Sequence, residues 1–295
     1  MKKMLLVMNP FAGIRRANRY LPDIISLFNR AGYAVDAHMT AGHGDATQVV
    51  AQRAGDVDTV VCIGGDGTFN ETINGILQNG ADTPVGYIPC GTTNDFATSL
   101  HIPTHIMQAA QAIVDGKVDR YDIGKFADRH FAYVASFGAF TKSSYATPQN
   151  IKNALGHAAY VLESIQEISQ LKPAHVRFEL ENRVIEDDFI FGAICNSTSL
   201  GGIVTLDPKQ VDMRDGKFEL LLVRAPKDLI ELSDCILAVQ KQKYNCAMMT
   251  FVSAKSLTVF ADPGMAWTLD GEHHKGSRRV EVTNLHQAIR LITKG

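Results

Sequence analysis

The chain has 295 residues, 45% of them hydrophobic and 20% charged, a composition that suits a globular protein large enough for two domains. With 29 Lys and Arg against 31 Asp and Glu, the formal net charge of -2 gives no reason to invoke nucleic acid as a partner. The Cys residues at 62, 90, 195, 235 and 246 form no C-x-x-C pair, which argues against a disulfide framework or zinc ribbon and for a reducing, cytoplasmic compartment.

Lys3 to Met8 reads as a first strand, too short in apolar length for a secretory signal. It ends in the turn Asn9-Pro10-Phe11-Ala12-Gly13. The next helix carries Leu21, Ile24, Ile25 and Phe28 on one face, with Pro22 expected in its first turn or at the start of a new helix and Gly32 as its stop. Ala34 to Met39 is the next strand. It leads through Thr40 to Ala46 into a helix, with Asp45 expected as N-cap and an end near Gly55.

Asp58 to Ile63 is a β-branched run that reads as a buried strand, and Thr68 to Leu77 has helical spacing. Between them lies Gly64-Gly65-Asp66-Gly67-Thr68-Phe69-Asn70-Glu71. A strand that ends in a glycine-packed turn and opens a helix presents backbone N–H groups and a helix N-terminus, which suits a polyphosphate. Asp66 among those donors cannot face a phosphate unless a cation lies between them, so nucleotide phosphate with Mg²⁺ is the economical expectation. Val85 to Ile88 repeats the pattern, passing into Pro89-Cys90-Gly91-Thr92-Thr93-Asn94-Asp95-Phe96-Ala97. Asn94 and Asp95 are placed to cap the helix there, a duty compatible with a place in the site. An amphipathic helix follows over Thr104 to Val114.

Strand, turn and helix thus recur through the first 120 residues or so, which predicts a parallel sheet flanked by helices. Ligands of such sheets lie beyond the carboxyl ends of the strands, where all of these turns fall. After Val118 the grammar changes. Strands are expected at Val118–Gly124, Phe131–Phe140, His175–Leu180, Arg183–Asp188, Phe189–Asn196, Phe218–Val223, Ser256–Phe260, Ala266–Leu269 and Arg279–Thr283. Helices are expected over Ile151–Leu171 and Lys227–Lys243. This pattern predicts a β-rich second domain built as a β-sandwich. The domain expectation is residues 1–122 with 286–295 as an α/β nucleotide-binding domain, and 123–285 as a β-sandwich substrate domain with a cleft between. The final segment, Gln287 to Lys294, is apolar enough to pack on the first domain.

Together these motifs resemble the diacylglycerol kinase catalytic family, and within it the soluble bacterial lipid kinases. The likeness rests on Asn9-Pro10 with Gly13, Gly64 to Glu71, Gly91 to Phe96, Asp215-Gly216 and Asp270-Gly271-Glu272, in an order that spans nearly the whole chain. The resemblance implies an ATP- and Mg²⁺-dependent transfer of the γ-phosphate to a lipid hydroxyl, with diacylglycerol the first expectation and phosphatidic acid the product. It implies ATP contacts at Asn9, Pro10, Phe11, Ala12, Gly13, Thr40, Gly64 to Glu71 and Thr92, with Asn94 and Asp95 beside them. It makes Asp66 a ligand of the catalytic Mg²⁺, Glu272 the general base and Asp122 a carboxylate that works with it. A second, structural Mg²⁺ is implied at Asp215, with backbone oxygens of Asp212 and Lys217.

Phosphoryl transfer to an alcohol needs a phosphate cradle, a cation and a carboxylate to take the hydroxyl proton, and these residue types supply each. Asp270-Gly271 and Asp215-Gly216 are also ordinary hairpin-turn pairs. His273 and His274 point to opposite faces of a strand and make a poor chelating pair, so no zinc is expected. Cys62 and Cys90 are expected as buried packing, and Trp267 as core or cleft wall. No apolar run approaches the ~18 residues needed to cross a bilayer, so membrane contact is expected to be peripheral, at the inner face. A homodimer is the default form if the chain self-associates. The rivals are an NAD kinase, which shares GGDG, and a nucleotide-binding regulator without catalysis.

Overall fold

The structure is a computed structural model describing residues 1–138, 172–200, 204–244 and 247–294. The chain divides into a first compact unit, Met1–Ile123 with Met213–Gly216 and Leu285–Gly295, and a second, Gly124–Asp212 with Lys217–Asn284. The chain passes between units within the strands Lys117–Phe126 and Arg279–Thr293.

In the first unit, β1 (Lys2–Met8), α1 (Arg16–Arg30), β2 (Tyr33–Met39), α2 (Asp45–Arg53), β3 (Thr59–Gly64), α3 (Asp66–Asn79) and β4 (Val85–Pro89) alternate along the chain. They are followed by the short α4 (Asp95–Ser99), α5 (Ile106–Asp115) and β5 (Lys117–Phe126). The strands lie parallel in the order β4-β3-β1-β2, with Leu291 adding a parallel pair beside Val85. Side chains alternate across the sheet. Met4, Leu6, Met8, Val61 and Ile63 meet Ile24 and Phe28 of α1 and Ile106 and Ile113 of α5 in one core. α2 and α3 pack on each other, and Val50, Phe69 and Ile73 are buried there. β3 is buried along its whole length, as its unbroken apolar run requires of a central parallel strand.

In the second unit the long strand Val184–Cys195 pairs antiparallel with Ala174–Leu180, Val134–Gly138 and Phe218–Arg224. Phe218–Arg224 pairs in turn with Met249–Ala254, and Ser256–Phe260 pairs with Ala174–Leu180 and with the start of Arg279–Thr293. Ala266–Leu269 joins Val134–Gly138 to Glu272–Lys275. The core holds Phe126, Phe131, Phe137, Phe178, Phe189, Phe218 and Trp267. This is the β-sandwich the strand pattern predicts.

Several local expectations are corrected. Pro22 lies inside α1, which runs through it. Asp45 is the first residue of α2, and Gly44, at φ 83°, holds the cap position. The Asp45 carboxylate turns back to the Ala41 N–H and to His38. The strand expected over Phe131–Phe140 is interrupted between Phe131 and Val134, because the Asp270 carboxylate accepts the N–H groups of Ala132, Tyr133 and Val134. Arg183–Asp188 and Phe189–Asn196 are one strand; what changes at Phe189 is burial, from alternate to continuous. Arg279–Thr283 extends to Thr293, and the strand Met249–Ala254 escaped the sequence pattern. The helix expected over Lys227–Lys243 is Leu229–Gln240, its start set by Asp228, which accepts from the Ile230 and Glu231 N–H groups. The helix expected over Ile151–Leu171 lies outside the described residues.

Candidate active site

The carboxyl ends of β1, β2, β3 and β4 share one rim of the first unit, and their turns are tied together. The Asn9 N–H donates to the Ile63 carbonyl at 2.9 Å, the Thr40 N–H to Met8 at 2.8 Å and the Cys90 N–H to Gly64 at 2.7 Å. The Asn9 carboxamide oxygen accepts the Phe11 N–H at 2.9 Å, while its Nδ2 donates to Thr68 Oγ1 at 3.3 Å. Pro10 and Ala12 complete this turn, and the Ala12 N–H returns to the Asn9 carbonyl. Gly13 closes it at φ 55°, where an added Cβ would sit 2.2 Å from the Cys90 carbonyl oxygen. Only glycine fits both demands.

The backbones of Gly65 and Gly91 nearly touch: a Cβ on Gly91 would lie 2.6 Å from the Gly65 Cα. Gly64 has equally little space, since Thr68 fills it. The absent side chains bring the turn after β3 against the turn after β4. Asn94, in the left-handed region at φ 54°, binds the Gly91 peptide from both ends. Its Oδ1 accepts the Gly91 N–H at 2.8 Å and its Nδ2 donates to the Gly91 carbonyl at 2.9 Å. This fixes the Gly91-Thr92-Thr93 loop, with Thr92 exposed and Asp95 buried as α4 begins. Asp66 and Gly67 open α3, and Asp66 Oδ1 receives the Phe96 N–H at 3.4 Å.

Phe69 stacks on Tyr87 and Phe96 with ring centroids 4.5 and 4.6 Å away, so the aromatic residues of both glycine motifs form the floor under the turns. Asn70 bonds Asn74 one helical turn on. Glu71 reaches sideways to α2, accepting the Gly44 and Ala46 N–H groups. Cys62 and Cys90 are buried, as expected, and burial pushes the Cys62 thiol up to about 12, which leaves it inert as a nucleophile. Burial likewise holds the Tyr87 hydroxyl well above its ordinary value.

Asp122, in β5, is fully buried. Its Oδ2 accepts the Gly216 N–H at 2.7 Å, and its Oδ1 accepts the Gln287 N–H at 2.7 Å with His286 Nδ1 at 3.1 Å. The Asp122 N–H donates to the Met213 carbonyl. Asp122 thus draws Met213–Gly216 into the first unit. Asp212 and Asp215 are exposed, and the Lys217 carbonyl accepts from Asn284 in the second unit. Among the described residues no group of three or more His, Cys, Asp or Glu side chains is arranged to hold a metal ion.

Glu272 stands in the second unit, at the start of the strand Glu272–Lys275. The preceding Asp270 and Gly271 have φ 48° and 86°, the geometry of a tight hairpin turn with both central residues left-handed. Asp270 is buried, and its carboxylate accepts Ala132, Tyr133 and Val134 N–H groups at 2.5, 3.0 and 3.0 Å. The turn is therefore anchored, and Glu272 leaves it with a half-exposed carboxylate 3.4 Å from the Arg129 guanidinium. His274 is on the same face of the strand two residues on, its ring edge-on to Phe126.

Sequence reasoning missed the partners His286 and Gln287 of Asp122, and Arg129 beside Glu272. Each is a single polar residue brought in from a distant segment, with no local pattern to mark it.

Residues 3–126 match the family model of the diacylglycerol kinase catalytic domain, and residues 135–293 that of the YegS C-terminal NAD kinase beta sandwich-like domain. A diacylglycerol kinase of Staphylococcus haemolyticus (strain JCSC1435) is 33% identical over 98% of this chain and 87% of its own. That of Bacillus subtilis (strain 168) is 29% identical over 99% and 96%. The crystal structure of a candidate diacylglycerol kinase from Bacillus anthracis str. Sterne superposes with a TM-score of 0.83 at 26% identity, covering 99% of this chain and 95% of that one. The chain belongs to the diacylglycerol kinase family and is a lipid kinase.

Proposed function

We propose that this kinase transfers the γ-phosphoryl group of ATP to the hydroxyl of diacylglycerol, giving phosphatidic acid and ADP. The observation that carries the reading is the interlocked rim, where the turns after β1, β2, β3 and β4 bond to one another around the N-terminus of α3. The N–H groups at the start of α3 and in the loop after Gly91 offer fixed donors to phosphate oxygens. Asn9 to Gly13, Thr40, Gly64 to Thr68, Thr92, Asn94 and Asp95 border that space.

The donor set suits a hard cation: Asp66 offers carboxylate oxygen at the rim, and Asp215 with the backbone oxygens of Asp212 and Lys217 offers oxygen elsewhere. A Mg²⁺ ion bound through Asp66 would neutralise charge on the phosphates. Glu272 takes the proton of the lipid hydroxyl as that oxygen bonds to the γ-phosphorus and the bond to ADP breaks. Asp122, with its oxygens engaged by backbone N–H groups and His286, is a positioning residue in this reading. The rim of the first unit takes the nucleotide, and Glu272 serves as the base. Diacylglycerol is chosen because the relatives carry that name. No helix among the described residues is long and apolar enough to cross a membrane.

Incubation with labelled ATP, Mg²⁺ and a mixed lipid extract tests the reading. The label is expected in phosphatidic acid. Label in NAD⁺ or in no acceptor would reject it.

A further inference from the structure

The acidic residue that closes the Gly64–Glu71 motif turns to α2. Glu71 lies on α3, and its Oε1 accepts the Gly44 N–H at 2.8 Å while its Oε2 accepts the Ala46 N–H at 3.2 Å. His43 Nδ1 is 3.1 Å from the same Oε1, and Thr47 Oγ1 donates to the Glu71 carbonyl at 3.0 Å. Gly44 is the cap position of α2 and has no side chain with which to cap it. The first N–H groups of a helix have no partner within the helix and attract negative charge. Here a carboxylate from the neighbouring helix takes the place of the missing cap. Asp45 holds the other end of the same turn through the Ala41 N–H, and the Met8 carbonyl holds the Thr40 N–H.

We infer that Glu71 is a positioning residue: it caps α2 from α3 and so fixes the Thr40–Gly44 turn relative to the phosphate-binding turn, without touching the nucleotide. The inference rests on the proposal that ATP binds this rim. Thr68 performs the matching task on the other side, accepting from Asn9 and so tying the turn after β1 to α3. One helix therefore opens with the phosphate-facing N-terminus and, within its first two turns, holds the turns after β1 and β2. With its oxygens engaged by α2, the Glu71 carboxylate offsets the positive end of that helix. Phosphate is thereby directed to α3 and the Gly91 loop.

The test is steady-state kinetics with ATP as the varied substrate, run beside hydrogen–deuterium exchange on the full chain, for wild type, Glu71→Gln and Glu71→Ala. Glu71→Ala should raise KM for ATP about five- to tenfold, the size of a lost helix cap, and leave kcat within about twofold. Exchange should quicken in residues 41–49 and stay unchanged in β3 and β4. Glu71→Gln, which keeps one acceptor oxygen, should fall between, and it carries the comparison if Glu71→Ala does not fold. A fall in kcat of about a hundredfold with KM for ATP unchanged would overturn the inference, because the carboxylate would then act on the reacting atoms. Unchanged exchange in residues 41–49 would overturn it too. If wild type transfers nothing from ATP, the nucleotide reading fails, while the exchange measurement still decides whether Glu71 caps α2.

Discussion

Asp122 and Asp270 show how far a carboxylate's role depends on what surrounds it. Each is buried, and each spends its oxygens on backbone N–H groups of remote segments. Replacing Asp122 by Asn would turn an amide toward one of those N–H groups and leave a buried donor unsatisfied. The expected cost is about 1–3 kcal/mol of stability, read as a lower urea midpoint with an unchanged slope. A midpoint equal to wild type would contradict the hold of Asp122 on the Gly216 and Gln287 N–H groups. Sequence alone marked Asp122 in a strand and Asp270-Gly271-Glu272 at a hairpin turn, and the resemblance gave Asp122 and Glu272 a common purpose. That Asp270 anchors and Glu272 projects was not legible, because the deciding partners, Ala132 to Val134, lie more than a hundred residues away.

At the scale of elements, α2 and α3 act as one body. A Cβ added to Gly75 would lie 2.6 Å from Val50 Cβ and 2.8 Å from the Thr47 carbonyl oxygen, so the helices meet at backbone distance. Gly75→Ala in a free helix would be stabilising by its propensity. In this contact it should instead cost about 1–3 kcal/mol through overpacking, seen as a lower melting temperature. A higher melting temperature would contradict the close approach. The parallel strands and their helices were legible in the sequence, since apolar period and glycine punctuation repeat from unit to unit. The strand break at Ala132 and the cap of α2 by Glu71 were not, since both are made by side chains from another element. The Phe residues of the two glycine motifs were legible as motif members but not as a stacked floor beneath them.

For the whole molecule, the change in grammar after Val118 marked an α/β part and a β-sandwich part, and the fold and the family models agree. The return of Met213–Gly216 to the first unit was hidden, because a turn gives no sign of which core it joins. In the proposed reaction Glu272 accepts the proton of the lipid hydroxyl as the phosphoryl group leaves ATP. The most direct test of this step compares wild type with Glu272→Gln on vesicles containing diacylglycerol, measuring ATP affinity and labelled phosphatidic acid in parallel. The expected result is unchanged ATP affinity and a loss in kcat of about 10²–10⁴-fold. Formation of phosphatidic acid by Glu272→Gln at the wild-type rate would contradict Glu272 as the general base.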